Sequence, residues 1–197
     1  PAVLPPKEDI AELIPPSPAP TVVGAPSPLG RGESDGNTTG MPLKLPQGFS
    51  IGIFAKDLPG ARVMLLAPNG ILVSIPKDGK IVLLQDGDGD GKAEDIKTVL
   101  SRLNRPHGMA FFYGVTHGLY EWYVAESDKI VQYDYEYSLR DSYKDPIKIT
   151  HKKVITTLPS GGNHFTRTIM FMQSPDGYPY QSQKLLISVG SSCNVCV

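Results

Sequence analysis

Met64–Asp86 reads MLLAPNGILVSIPKDGKIVLLQD, three short apolar runs separated by Pro68-Asn69-Gly70 and Lys77-Asp78-Gly79-Lys80. Gly and Asn accept the positive φ that a tight hairpin demands, so each separator predicts a turn and each run a strand. The same layout returns downstream. Gly108–Phe112 (GMAFF) leads through Leu119–Ser127 (LYEWYVAES) into Asp128–Tyr135 (DKIVQYDY), and a third round opens in Thr168–Gly190 (TIMFMQSPDGYPYQSQKLLISVG). Equivalent points lie about 50 residues apart, near the period of one four-stranded propeller blade. The expected fold is all-β, a β-propeller. At about 45 residues per blade the sequence from Leu45 onward supplies about three blades, against the 4 to 8 of closed propellers. The expectation is therefore a fragment or truncated product, its propeller part spanning residues 46–197.

Residues 1–45 read as a different polymer. The stretch PPSPAPTVVGAPSPLGRGESDGNTTG is rich in Pro, Ser and Gly and has no apolar period, so burial cannot offset the entropy of ordering it. It is read as an N-terminal arm or linker, with a helical turn or two at Lys7–Ile14. From Leu45 onward the pattern is all-β, and Phe49–Leu58 (FSIGIFAKDL) alternates as a strand would.

Composition excludes several classes. The 197 residues carry 19 Lys+Arg against 20 Asp+Glu, a net charge of −1. That balance gives no nucleic-acid footprint and no basic membrane patch. No apolar run reaches the 18 or so residues that span a bilayer, so no membrane span is expected. The chain opens at Pro1 without Met, read as a processed or partial chain with any signal peptide already gone. Asn37-Thr38-Thr39 is a glycosylation sequon in a Gly/Ser-rich stretch. Together these favour a secreted, extracellular protein.

Two stretches carry chemistry. In Asp86–Asp95 (DGDGDGKAED), Asp86, Asp88, Asp90 and Glu94 follow the alternation of a calcium loop, in which every second side chain turns an oxygen inward. Lys97 stands where an EF-hand needs Glu, and both flanks are strands, so a hairpin-borne structural calcium site is expected. A solvated acidic turn is the plainer alternative. In Leu158–Phe171 (LPSGGNHFTRTIMF), His164 and Arg167 sit where a turn becomes a strand. A neutral imidazole accepts a hydroxyl proton and a guanidinium holds developing negative charge. On residue chemistry alone, a His in a Gly-rich loop is more often just a satisfied polar group.

The segment VITTLPSGGNHFTRTIMFMQSPDG…KLLISVGSSCNVC resembles the soluble quinoprotein sugar dehydrogenases, the glucose/sorbosone dehydrogenase family. NGILVSIPKDGKIVLLQDGDGDGKAEDIKTVLSRLNRPHGMAF resembles its first blade. The likeness covers residues 46–197 and is nearest the sorbosone and fungal pyranose dehydrogenase branch. It implies a six-bladed propeller binding pyrroloquinoline quinone (PQQ) and calcium on its axis. It also implies that His164 is the base, that Arg167 is a pocket or support residue, and that His107 lies near the pocket mouth. Asn163 stands beside the base where some members carry an acidic substrate contact, which weakens any inference of sugar preference. The family's remaining cofactor clamps belong to later blades and have no counterpart here. The implied partners are a sugar and an external electron acceptor, a cytochrome domain or a quinone-type mediator.

Cys193 and Cys196 follow a strand rather than preceding a helix, and no His follows, so neither a thioredoxin-like pair nor a haem attachment is expected. A local disulfide bracing a turn is the reading, with free thiols the alternative. Tyr120, Trp122, Tyr123, Tyr133, Tyr135 and Tyr137 are read as strand core rather than a sugar-stacking platform. Against the dehydrogenase stands a non-catalytic, calcium-stabilised propeller module that binds carbohydrate or protein. A lactonase-type hydrolase would need axial carboxylates, whereas the acids here cluster in one hairpin.

Overall fold

The computed structural model describes residues 36–112, 119–137, 147–161, 164–172 and 183–191. The fold is all-β, built from antiparallel sheets, none of them closed. The first sheet is a meander of β1 (Val63–Ala67), β2 (Gly70–Ile75), β3 (Lys80–Gln85) and β4 (Asp95–Leu100). The second repeats it with β5 (Met109–Phe112), β6 (Leu119–Ala125), β7 (Lys129–Glu136) and β8 (Lys148–Thr157). β9 (Ile169–Met172) and β10 (Lys184–Ile187) form a two-stranded ladder. Among the described residues no helix is long and apolar enough to cross a membrane.

The continuous apolar runs are explained by sheets covered on both faces. In β2 and β3, Leu72 pairs with Leu83 and Val73 with Val82. Leu72, Ile81 and Leu83 join Phe111, Trp122, Val124, Val131, Tyr133 and Tyr135 in a core between the first two sheets. Burying each of the aliphatic side chains contributes about 2 kcal/mol. The opposite face of the first sheet, Val73, Ile75, Val82 and Leu84, is covered by Phe54, Ala55 and Leu58. The opposite face of the second, Ala110, Ala125 and Ile130, meets Ile169, Phe171, Leu185 and Ile187. The aromatic alternation is thus core, as the sequence predicts. Phe111 packs edge-on to Tyr135, and Tyr123 edge-on to Phe171.

Between sheets, the closest approach is along the first strands, β1 beside β5 and β5 beside β9. Asn69, in the β1–β2 turn, joins both sheets: Gln85 Nε2 donates to its carbonyl (3.1 Å) and Tyr135 Oη donates to its Oδ1 (2.5 Å).

One expectation changes. Residues 49–58 form no ladder strand, only an isolated bridge at Ile51 to Asn37. Phe54, Ala55 and Leu58 cover the first sheet while Phe49 and Ile51 stay exposed, and the Phe54 carbonyl accepts from the Ala93 N–H at the acidic loop (2.7 Å). The described end of the arm is also tied down: Thr38 N–H donates to the Ile51 carbonyl (3.0 Å). Asn37 Nδ2 donates to the carbonyls of Met41 (2.7 Å) and Leu43 (3.2 Å), and its Oδ1 accepts from the Thr39 hydroxyl (2.6 Å).

Candidate functional site

The candidate residues separate to opposite ends of the first two sheets. The β3–β4 connection holds the acidic loop at the end where β1 turns into β2. Here Asp86, Asp88, Asp90 and Glu94 each offer an oxygen, all within 4.8 Å of one another. Backbone N–H groups arrange them: Asp86 accepts from Gly89 (2.7 Å) and Gly91 (2.9 Å), and Glu94 accepts from Gly87 (2.7 Å). Gly89 (φ +77) and Gly91 (φ +84) supply the left-handed turns that let alternate carboxylates face one side. Asp90 also holds Lys92 Nζ at 3.1 Å. That hydrogen bond, then the Asp90 charge, raises the Lys92 pKa, with Asp88 and Glu94 adding. The donor set is all oxygen, the chemistry a hard divalent cation takes.

The other end is a rim of loops leading into β1, β5 and β9. Arg167 is 1% exposed, yet no carboxylate faces it among the described residues. Backbone carbonyls take that role: Nη1 donates to His164 (2.7 Å) and Thr166 (3.0 Å), and Nη2 to Pro159 (2.5 Å), while Nε is left without a partner. The guanidinium therefore braces the loop that carries His164.

His164 is half-buried. A Cβ on Gly190 would stand 2.6 Å from the His164 Cβ, so glycine in the strand-end Val189-Gly190 is what lets the two segments touch. His107 is tied to the same loop, its Nδ1 lying 3.2 Å from the Arg167 carbonyl. A carbonyl accepts only, so Nδ1 carries the proton and Nε2 is the basic nitrogen. Gly108 N–H donates to the same carbonyl (2.8 Å), and a Cβ at Gly108 would come within 2.5 Å of it. Burial lowers the His107 pKa, the Arg62 charge lowers it further, and the carbonyl contact opposes both. Arg167 thus joins His107 and His164 through its own backbone and side chain. Asn163, Cys193 and Cys196 lie outside the described residues.

Beside these histidines opens a cleft of about 360 Å³ lined by Gly60, Arg62, Pro76, Lys77, Arg105 and Phe165. The Arg105 guanidinium lies over the Phe165 ring, 4.6 Å from its centre. Sequence reading missed these residues. They come from four segments spread between Gly60 and Phe165, and no local spacing marks them.

Compared with family models, with curated proteins and with solved structures, the chain matches none.

Proposed function

We propose that the chain is part of a propeller-type, calcium-braced quinoprotein dehydrogenase that oxidises a sugar hydroxyl, with His164 as the base. The observation that carries this reading is the Arg167 carbonyl cage. The buried Arg167 guanidinium donates to the carbonyls of Pro159, His164 and Thr166, and the backbone carbonyl of the same residue accepts from the His107 ring. Such bracing is what a base needs if it is to meet a hydroxyl at hydrogen-bond distance. Two repeated meanders whose first strands adjoin support the propeller part of this reading. It also accounts for apolar side chains left open at both ends of the stack, Met64 and Leu66 on β1, Met170, Met172 and Leu186 on β9–β10. Further sheets would cover them.

For calcium, Asp86, Asp88, Asp90 and Glu94 would be the holding residues and the role structural, since this loop lies at the end away from His164. For PQQ the fit is partial. The rim supplies a base, whereas the cofactor clamps that the resemblance implies have no counterpart among the described residues. When bound, the quinone supplies the hydride acceptor. The chain removes the hydroxyl proton at the His164 imidazole and keeps that imidazole in register through Arg167.

The test is reconstitution. The purified chain is titrated with PQQ in millimolar calcium, followed by quinone absorbance, then given aldoses and an artificial electron acceptor. The reading expects sugar-dependent bleaching, in this chain or in one extended by further sheets, that falls by roughly a hundredfold or more in His164→Ala. Failure of both chains to bind the quinone would leave the calcium-stabilised binding module, which the acidic loop alone favours.

A further inference from the structure

The cleft beside the histidines gathers three like charges. Arg62 precedes β1, Lys77 sits in the single helical turn Pro76–Asp78 between β2 and β3, and Arg105 lies between β4 and β5. All three are exposed. Of the other described cations, Lys80, Lys92, Lys97, Lys129 and Lys148 each pair with a carboxylate, while Lys44, Lys56, Arg102, Lys153 and Lys184 stand scattered over the surface rather than gathered in one cleft. Among the described residues no carboxylate pairs with Arg62, Lys77 or Arg105. Lys80, three positions from Lys77, takes the nearby Asp78 instead. Mutual repulsion among unmatched cations is relieved by an anion from solution.

The cleft is also built rather than incidental. Arg105 has φ +49, a left-handed conformation that strains a residue with a Cβ. Its loop is fastened on both sides. Leu103 N–H donates to the Gly79 carbonyl (2.9 Å), Asn104 N–H to the buried carboxylate of Glu126 (2.5 Å), and Ser127 N–H to the Asn104 carbonyl (2.9 Å). With its plane supported by the Phe165 ring, the guanidinium keeps donors free at its edge, the geometry that grips a carboxylate or phosphate in two places. Gly60, Pro76 and Phe165 add an apolar wall.

We propose that this cleft binds a small organic anion, a carboxylate or phosphate ester on a ring-shaped body of sugar size. Arg62 and Arg105 grip the charged group, Lys77 adds charge, and the body lies against Pro76 and Phe165. Binding is read without quinone, so this inference stands or falls separately from the dehydrogenase reading.

The test follows the side-chain Nε–Hε resonances of Arg62 and Arg105 by NMR at low salt. The 197-residue chain is titrated in turn with glucuronate, glucose 6-phosphate, glucose, sodium sulfate and PQQ. The proposal expects saturable shifts with glucuronate or glucose 6-phosphate and none with glucose, the stronger of the two anions identifying the group. Arg62→Gln and Arg105→Lys should each weaken binding about tenfold, the loss of one charge-assisted contact. Lys148→Gln, whose partner Glu136 lies at the far end of the second sheet, should leave it unchanged. Arg62 is exposed outside the strands, so its variant keeps the test open should Arg105→Lys misfold. Equal shifts with sulfate, or affinity indifferent to Arg62→Gln, would overturn the proposal, and so would response to PQQ alone, which would make the cleft part of a quinone site.

Discussion

The two ends of the sheets make the same net charge look like two different proteins. At one end four carboxylates share a single ten-residue loop; at the other, Arg62, Lys77, Arg105, His107 and Arg167 gather from segments spread along the chain. The six residues of β2 separate the ends by about 20 Å, beyond the screening length of about 8 Å at physiological salt. Each end therefore behaves as its own electrostatic site, and a net charge of −1 describes neither. The acidic end is organised by its own backbone amides. The rim is organised by one buried guanidinium and by first strands that lie side by side.

The largest effect that would separate the ends comes from Arg167. Arg167→Ala removes the donors that three backbone carbonyls rely on, and the chain should lose about 3 kcal/mol in urea unfolding. The His164 and His107 resonances should broaden or shift, while a cation titration at Asp86–Glu94 stays as in the parent chain. A loss at both ends would mean that the rim and the acidic loop form one cooperative unit.

That division also decides what was legible. The strands were readable because both faces of each sheet are covered, so apolar runs broken by Asn-Gly and Asp-Gly turns mark them directly. The acidic loop was readable because a cation site made by one hairpin writes its ligand spacing into consecutive residues. Phe49–Leu58 misled because its alternating Phe49 and Ile51 stay exposed, while the residues that cover the first sheet, Phe54, Ala55 and Leu58, follow no period of two. Arg167 was read as a chemical group, yet its surroundings are carbonyls. Nothing in HFTR announces that Pro159 turns its oxygen toward position 167. Arg62, Lys77 and Arg105 left no trace, because only the stacking of two sheets and a third ladder brings them to one cleft.

A middle-sized effect probes the acidic end. If the four carboxylates hold calcium, adding the ion at about ten times its dissociation constant stabilises the chain by about 1.4 kcal/mol. Calorimetry should show the rise in unfolding temperature, and Asp86→Asn with Asp88→Asn should abolish it. The Arg62 and Arg105 resonances should stay put throughout. No calcium response in the parent chain would leave the loop as a solvated turn stabilised by its own N–H groups, and the contrast between the ends would become one of charge alone.

The smallest effect is the sharpest, because it reads one side chain through its neighbour. Burial first and the Arg62 charge second hold the His107 pKa below the ordinary 6.5, against the pull of the Arg167 carbonyl. The folded state thus prefers neutral His107 more than the unfolded chain does. Its contribution to stability is present above 6.5 and is lost as pH falls from there through the folded-state pKa. In an NMR titration, Arg62→Gln should move the His107 midpoint upward toward its ordinary value, and a saturating organic anion in the cleft should do the same to the parent chain. A midpoint unmoved by either would place Arg62 too far from His107 to matter, and the rim would then be a set of neighbouring loops with no shared field.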